Sequence, residues 1–367
     1  MPVAAFCTDI PEFQSGRVLD AAFARRFPGA AVIPELATRL RDTGWEVVTG
    51  DQAVERIDSG DLGASDVYVV QEENSAVGLT LLEQGAHPAL ILSGESPLYA
   101  QSFYRDIGLI SRPFPNRVLF TGAHSEACDG GTNHPLLFPA FHQGEVMVLK
   151  PWSERRFLAL LAGNKYWRHA AIPWPDRLRR ALSELRNRDT QHWLDRHQLH
   201  DTRLHLVEHF NSSGMIDVFG TGWARLGHLP RAWRERLADL QPAGDFVPYE
   251  DKHSLLSTYK FTLAMENFEF PGYVTEKIFD ALVAGSIPLY RGAPDVEDFV
   301  PTSAFVDLRN FDDPSNLHDY LNSIGDAQAT EILTAGREFL VSRRGQQHSF
   351  EDRGEFLANL VVKSTTG

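Results

Sequence analysis

Two periodicities share the first part of the chain. Residues 3–8, 45–49, 67–71, 89–93 and 117–121 are apolar runs of strand length, while residues 31–42 repeat their apolar positions in helical phase. Strands that alternate with helices predict a mostly parallel sheet. Residues 124–134, with Gly130-Gly131-Thr132-Asn133 among them, read as an irregular loop on the rim of that sheet.

A second series opens with residues 157–162, a wholly apolar run. It continues through a charged helical stretch at 176–188 to strand-like runs at 216–219, 261–265, 287–290 and 304–308, which predicts a second α/β unit. A proline and a charge at Lys150-Pro151-Trp152 separate the series, so the expected domains are residues 1–152 and 153–345. Beyond Pro314 the pattern is helical, and residues 346–367 are expected to form a closing helix centred on 350–361. Ligands of open α/β sheets bind beyond the carboxyl ends of the strands. Two such domains facing each other therefore predict a cleft suited to a two-substrate transfer.

Length agrees with this division, since 367 residues exceed what one core usually holds. The 21 prolines and 28 glycines are scattered, which leaves no tract to read as long disorder. A net charge of -14 argues against a general nucleic-acid binder, because phosphate contacts need clustered cations. The start has no basic region ahead of an apolar run, and no apolar segment has the length of a bilayer span. The expected location is cytoplasmic, with peripheral membrane contact left open. Cys7 and Cys128 are too few for a disulfide framework and read as reduced packing residues.

The stretch from residue 259 to 301 is richest in chemistry. Tyr259-Lys260-Phe261-Thr262-Leu263-Ala264-Met265 is a buried-strand pattern that ends abruptly in Glu266-Asn267, polar residues that belong at the strand's carboxyl end. After Tyr273-Val274-Thr275-Glu276-Lys277 comes an apolar helix, Ile278-Phe279-Asp280-Ala281-Leu282-Val283-Ala284, stopped by Gly285. Thr275 is the expected N-cap, which leaves first-turn N–H groups and the positive helix end for an anion. Lys277 sits against that dipole. Either a diphosphate or a carboxylate among Glu266, Glu269 and Glu276 would compensate it. Glu276 is either a first-turn carboxylate favoured by the dipole or an acceptor for sugar hydroxyls such as those of ribose.

These elements, followed by Ile287-Pro288-Leu289-Tyr290 with Gly292 and Pro294, then Phe299-Val300-Pro301 and Ser303-Ala304-Phe305, closely resemble the donor-site signature of the α-1,3/4-fucosyltransferase family. Upstream, Gly163-Asn164-Lys165 is similar to the family's Ser-Asn motif. Ile216-Asp217-Val218-Phe219-Gly220-Thr221-Gly222-Trp223 is similar to its Val-Asp-Val-Tyr/Phe-Gly-x-Gly strand. The sequence departs from the family at Phe268, where serine is usual, at Gly163, and at Arg291, a place often aromatic. The resemblance implies two Rossmann-like domains of the GT-B type, the second holding GDP-fucose and the first mainly the acceptor. It implies that Asn267, Tyr273, Glu276 and Lys277 contact the nucleotide sugar, lysine and tyrosine at the diphosphate and glutamate at the ribose. The family also neutralises phosphate with an arginine after the Ser-Asn motif. Arg177 in Asp176-Arg177-Leu178-Arg179-Arg180 resembles it, with Arg179 and Arg168 behind it. A solvated helix face is the commoner role for each arginine alone.

Transfer with inversion needs a general base for the acceptor hydroxyl and cations for the departing nucleotide. Ala89-Leu90-Ile91-Leu92 ends in Ser93-Gly94-Glu95-Ser96-Pro97, which resembles the family's Glu-Ser-Pro or Glu-Pro element, whose glutamate is the proposed base. Glu95 is the candidate, with turn stabilisation as its alternative role; partial burial at a strand end is expected to raise its pKa. His124 either reaches an acceptor sugar or is a surface histidine. No His, Cys or Asp set has metal-ligand spacing, and transfer without metal or other cofactor is expected. The implied reaction moves L-fucose from GDP-fucose to an oligosaccharide or glycoconjugate, in α-1,3 linkage on an N-acetylglucosamine-containing sugar. Competing readings are a related transferase with another nucleotide sugar, and a non-catalytic nucleotide-sugar or glycan-binding module, which has no need of Glu95. An oxidoreductase with paired Rossmann domains would need a Gly-x-Gly-x-x-Gly turn that the sequence lacks.

Overall fold

Runs that are apolar at every position belong inside parallel sheets, where both faces are covered. The computed structural model bears this out; it describes every residue except 28, 126–129, 146, 148–149, 167–187 and 366–367, and the backbone alone of 188–191. The chain divides into two units, each built from more than one segment.

The first unit comprises Met1–Glu145, Pro271–Glu276 and Val341–Gly367. Its strands are β1 (Val3–Cys7), β2 (Glu46–Thr49), β3 (Val67–Glu72), β4 (His87–Leu92), β5 (Asn116–Leu119) and β6 (Thr132–Pro135). They pair in the order β2-β1-β3-β4-β5-β6, and every pairing is parallel. β1 is buried at all of its positions. The β3–β4 register slips between Val69 and Val70, which oppose Pro88 and Leu90, so the proline sits where the ladder is already interrupted.

At the far edge the structure differs from the sequence pattern. The stretch read as a loop supplies β6, although Thr-Asn-His-Pro has little strand preference. Arg117 holds it there. This buried side chain donates from Nε to the Ser111 carbonyl at 3.1 Å, and its terminal nitrogens reach the Gly130 carbonyl and Asn133 Oδ1. Gly131, at φ 88°, makes the turn between those two partners. The helix Phe350–Lys363 packs on the helix Val32–Asp42 so closely that a Cβ at Gly354 would stand 2.5 Å from Glu35 Cβ. Asn116 Nδ2 donates to the Leu360 carbonyl at 3.1 Å, tying the last helix to β5.

The second unit comprises Val146–Phe270 and Lys277–Leu340. Its strands are β7 (Arg156–Leu161), β8 (Ile216–Phe219), β9 (Tyr259–Met265), β10 (Ile287–Arg291) and β11 (Val306–Asp307), parallel throughout in the order β11-β10-β9-β7-β8. Leu158 and Leu160 enter one apolar cluster with Phe261, Leu263 and Met265, while Ala159 between them joins another with Leu256 and Ala284. Both faces of β7 are therefore covered. The helix Glu276–Ala284 joins β9 to β10 and ends as its sequence predicts. Gly285 takes φ 65° and Ser286 N–H returns to the Ala281 carbonyl at 2.9 Å. No helix among the described residues is long and apolar enough to cross a membrane.

His348 gives the first unit a pH dependence. It is buried, with Nδ1 3.2 Å from the Phe138 carbonyl, and burial pushes its pKa down to about 3. An unfolded chain protonates this ring near 6.5, whereas the folded chain resists until about 3. The stabilisation is full above the unfolded value and is lost progressively as pH falls from there through the folded value. His348→Asn is expected to lose less Tm than the wild type between about pH 7 and about pH 4. Equal losses in a thermal melt series would remove His348 from this account.

Candidate functional site

The second unit gathers charge at the carboxyl end of β9. Glu266, the residue after the strand, has no exposed surface, and a carboxylate shut off from water needs a partner. Lys277, in the first turn of the helix Glu276–Ala284, provides it at 3.0 Å. Glu266 was among the carboxylates open to Lys277 in the sequence, and the pair offsets the cost of a cation near a helix N-terminus. Gly292 lets β10 approach: a Cβ there would stand 2.4 Å from Glu266 Cγ and 2.5 Å from Tyr290 Oη. Glu269 pairs with Arg291 at 2.8 Å, which gives the arginine at that departure from the family a local partner.

Asn267 is fixed by Arg203, a buried residue of the helix His200–Ser212. One guanidinium nitrogen donates to the Met265 carbonyl, the Glu266 carbonyl and Asn267 Oδ1 at 2.9, 2.8 and 3.0 Å. The Asn267 amide oxygen is thereby assigned to the arginine, and its nitrogen is the donor for another group. Phe268 is fully buried against Trp193 and His197, with ring centroids 5.0 and 6.0 Å away, so the aromatic at this position has a packing reason. His200 is pushed down to about 3, by burial first and then by the charges of Arg203 and Lys165. The charges of Arg203 and Lys165, which add to burial in keeping this imidazole neutral, make the field an incoming anion would meet. Lys165 follows β7, where Asn164 N–H donates to the Thr221 carbonyl at 2.8 Å and Trp223 Nε1 to the Ala162 carbonyl at 2.7 Å. These bonds join the two upstream motifs at neighbouring strand ends.

The first unit holds the remaining candidates. In its segment Pro271–Glu276, Tyr273 is buried with its ring 5.0 Å from Phe120, and Gly122 N–H donates to the Pro271 carbonyl at 3.0 Å. Thr275 is buried and precedes the helix, at the N-cap place, and Glu276 is half-buried at its first position.

Glu95 lies in the turn after β4 and is exposed, so the burial expected for it is not found there. The end of β3 is more enclosed, with Glu72 and Glu73 half-buried. Glu73 accepts a hydrogen bond from Ser93 Oγ at 2.9 Å, and its own N–H donates to the Leu92 carbonyl at 2.8 Å. Burial, then the neighbouring charge of Glu72 and a smaller contribution from Glu95, push the Glu73 carboxyl up to about 7 against the Ser93 hydrogen bond. Burial also raises Glu72, which Thr8 partly offsets through a hydrogen bond.

His124 is half-buried, with Nε2 3.1 Å from the Leu119 carbonyl and 3.3 Å from the His134 carbonyl, which is a structural role. Arg177, Arg179 and Arg168 lie outside the described residues. Arg203 is not among the residues the motifs single out; its signal in the sequence is its place four and seven residues before Val207 and Phe210 on the buried helix face. Glu73, in the polar ending Gln71-Glu72-Glu73 of a strand, is not among them either. Among the described residues no group of three or more His, Cys, Asp or Glu side chains could hold a metal ion.

Residues 185–331 match the model of glycosyltransferase family 10 (fucosyltransferase), C-terminal part. The chain is similar to an alpha-(1,4)-fucosyltransferase of Arabidopsis thaliana, 34% identical over 131 residues, which is 36% of this chain and 31% of that one. It spans 31% or less of the length of the curated relatives it matches. In fold it is similar to the sucrose-phosphate synthase of Thermosynechococcus elongatus, with a TM-score of 0.64 over 100% of both chains at 9% identity. An α1,3-fucosyltransferase solved with GDP-fucose matches with a TM-score of 0.50, over 98% of this chain and 90% of that one, at 16% identity. Two α/β units with parallel sheets are the GT-B glycosyltransferase architecture.

Glu266→Gln would remove the carboxylate that pairs with Lys277 at 3.0 Å in a nearly closed site. The expected loss of stability is about 3 kcal/mol, the lower end for a broken buried pair. The lower end applies because Lys277 keeps 14% of its side chain exposed. Urea unfolding measures it, and a loss below about 1 kcal/mol would mean that Lys277 does not depend on Glu266.

Proposed function

We propose, from the match of residues 185–331 to the model of glycosyltransferase family 10 (fucosyltransferase), that the protein is an inverting transferase that moves L-fucose from GDP-fucose to a glycan hydroxyl. The acceptor in this reading is an N-acetylglucosamine-containing sugar and the linkage α-1,3. The observation that carries it is the company of Arg203 and Lys277 at Glu266 and Asn267. They stand at the carboxyl end of the central strand of a parallel sheet, the end at which such sheets take nucleotides. A departing diphosphate needs positive charge in place before it leaves. The fold shared with a fucosyltransferase solved with GDP-fucose supports the choice of donor.

In the proposed reaction the Glu95 carboxylate takes the proton of the acceptor hydroxyl. The hydroxyl oxygen forms its bond to the anomeric carbon of fucose on the face opposite the diphosphate. The bond from that carbon to the diphosphate oxygen breaks, its electron pair leaves with GDP, and the configuration inverts. Lys277, Arg203 and Tyr273 meet the diphosphate, Asn267 the nucleotide sugar and Glu276 the ribose. The positive end of the helix Glu276–Ala284 adds to the lysine, so the scheme needs no metal.

Three measurements test this reading. GDP binding by calorimetry is expected to be the same in EDTA as with magnesium or manganese; a strict metal requirement would remove the proposed role of the cationic side chains. Arg203→Ala and Lys277→Ala are each expected to weaken GDP binding by about 10- to 100-fold, the scale of a charge-assisted hydrogen bond. A loss confined to Arg177→Ala would return the phosphate to the arginine chosen from the sequence. With GDP-fucose and a panel of N-acetylglucosamine-containing glycans, Glu95→Gln is expected to lower transfer by about 10²–10⁴-fold while GDP affinity is kept. Wild-type protein that binds GDP-fucose and transfers to no glycan would instead be a binding module.

A further inference from the structure

Glu73 and Glu95 stand on neighbouring strand ends, and one turn couples them. Glu73 follows β3 with φ 49°, a left-handed conformation in which the only other non-glycine residue, among those described, is Ser15. A glutamate in that region is held against a cost of roughly 1–2 kcal/mol, so the surrounding bonds must fix it. They are on the page: Glu73 N–H to the Leu92 carbonyl at 2.8 Å, Gln71 Nε2 to the Glu73 carbonyl at 2.9 Å, and Ser93 Oγ to Glu73 Oε1 at 2.9 Å. The same Ser93 hydroxyl lies 3.3 Å from the Glu95 carbonyl, to which Tyr104 Oη donates at 2.9 Å. Ser93 thus bridges the Glu73 carboxyl group and the backbone of the residue two positions on.

We propose that Glu73 is a positioning residue of the transfer reaction: its carboxyl group holds the Ser93–Glu95 turn through the Ser93 hydroxyl, and its ionisation places a negative charge that makes Glu95 a stronger base. This rests on the role given to Glu95 above. The groups that face Glu73 are Glu72 beside it on β3, Glu95 and Ser93 from the β4 turn, and Tyr104 from the helix Gln101–Arg105; Asp9, after β1, acts on Glu72. Burial first, and then the charge of Glu72 with a smaller contribution from Glu95, disfavours the ionised form, so Glu73 keeps its proton to near neutrality and gives it up at about 7. Below that pH the turn carries a neutral Glu73; above it, Glu95 has a charged neighbour. Like charges raise each other's proton affinity, so the Glu95 carboxylate accepts a proton more readily in the second state.

Glu73→Gln separates position from charge, because glutamine keeps an oxygen for Ser93 and the volume of the side chain but cannot ionise. In kcat/KM measured from about pH 5 to about pH 9, the wild type is expected to rise a second time as Glu73 ionises, beyond the limb that belongs to Glu95. Glu73→Gln is expected to lose that second rise and to keep its affinity for GDP. A variant profile that retains the second rise overturns the proposal. A second readout does not depend on turnover: carboxyl-¹³C glutamate titration by NMR, with the Glu73 signal identified by its absence from Glu73→Gln. In Glu95→Gln the Glu73 signal is expected to titrate at lower pH, since the coupling is reciprocal. An unmoved signal overturns the proposal whether or not fucose is transferred, whereas a moved signal with no transfer to any glycan refutes the proposed function and leaves the coupling standing.

Discussion

A carboxylate that water does not reach governs the end of β9. Glu266 has no exposed surface, and an ion in that state is tolerable only with an opposite charge at hydrogen-bond distance. Much of the local sequence follows from this. Lys277 must lie in the first turn of the following helix, although the dipole disfavours a cation there. Position 292 must lack a side chain, because β10 passes against Glu266. The peptide that carries Glu266 and Asn267 must stay still, and Arg203 holds two of its carbonyls and one amide oxygen with a single nitrogen.

The same arrangement explains how a chain with a net charge of -14 can still present a positive field. Charge at a site is local. The second unit brings Arg203 and Lys165 near His200, and burial first and then these two charges keep that imidazole neutral far below its ordinary range. The acidic excess of the chain lies elsewhere, including the end of β3, where burial first and then neighbouring carboxylate charge make Glu72 and Glu73 resist ionisation. The two units thus carry fields of opposite sign at their strand ends.

The strands were legible in the sequence because a parallel sheet covered on both faces leaves continuous apolar runs, as at β1, β7 and β9. The abrupt change from Met265 to Glu266-Asn267 marked a strand end, and Gly285 marked the helix stop that the structure shows. Other features were not legible, each for a physical reason. β6 forms on account of Arg117, a contact between residues whose own preferences are silent. A buried arginine such as Arg203 is written in the same letters as a solvated one, and only its helical phase with Val207 and Phe210 betrays it. The exposure of Glu95 depends on Gly94 and the turn after β4, whereas Glu73 is half-buried beside Ser93 of that turn; neither follows from position at a strand end alone.

The first unit is assembled from three stretches of chain, the last of which is Val341–Gly367. Asn116 waits for the Leu360 carbonyl across 244 residues, and the helix Val32–Asp42 for the surface of Gly354. The second unit is nearly continuous, interrupted only by Pro271–Glu276. During synthesis the strands of the first unit emerge before the second unit and their closing helix after it, and joining segments so far apart carries the larger loop-closure entropy. The first unit therefore cannot close until the whole of the second has been made, whereas the second needs nothing that lies beyond Leu340.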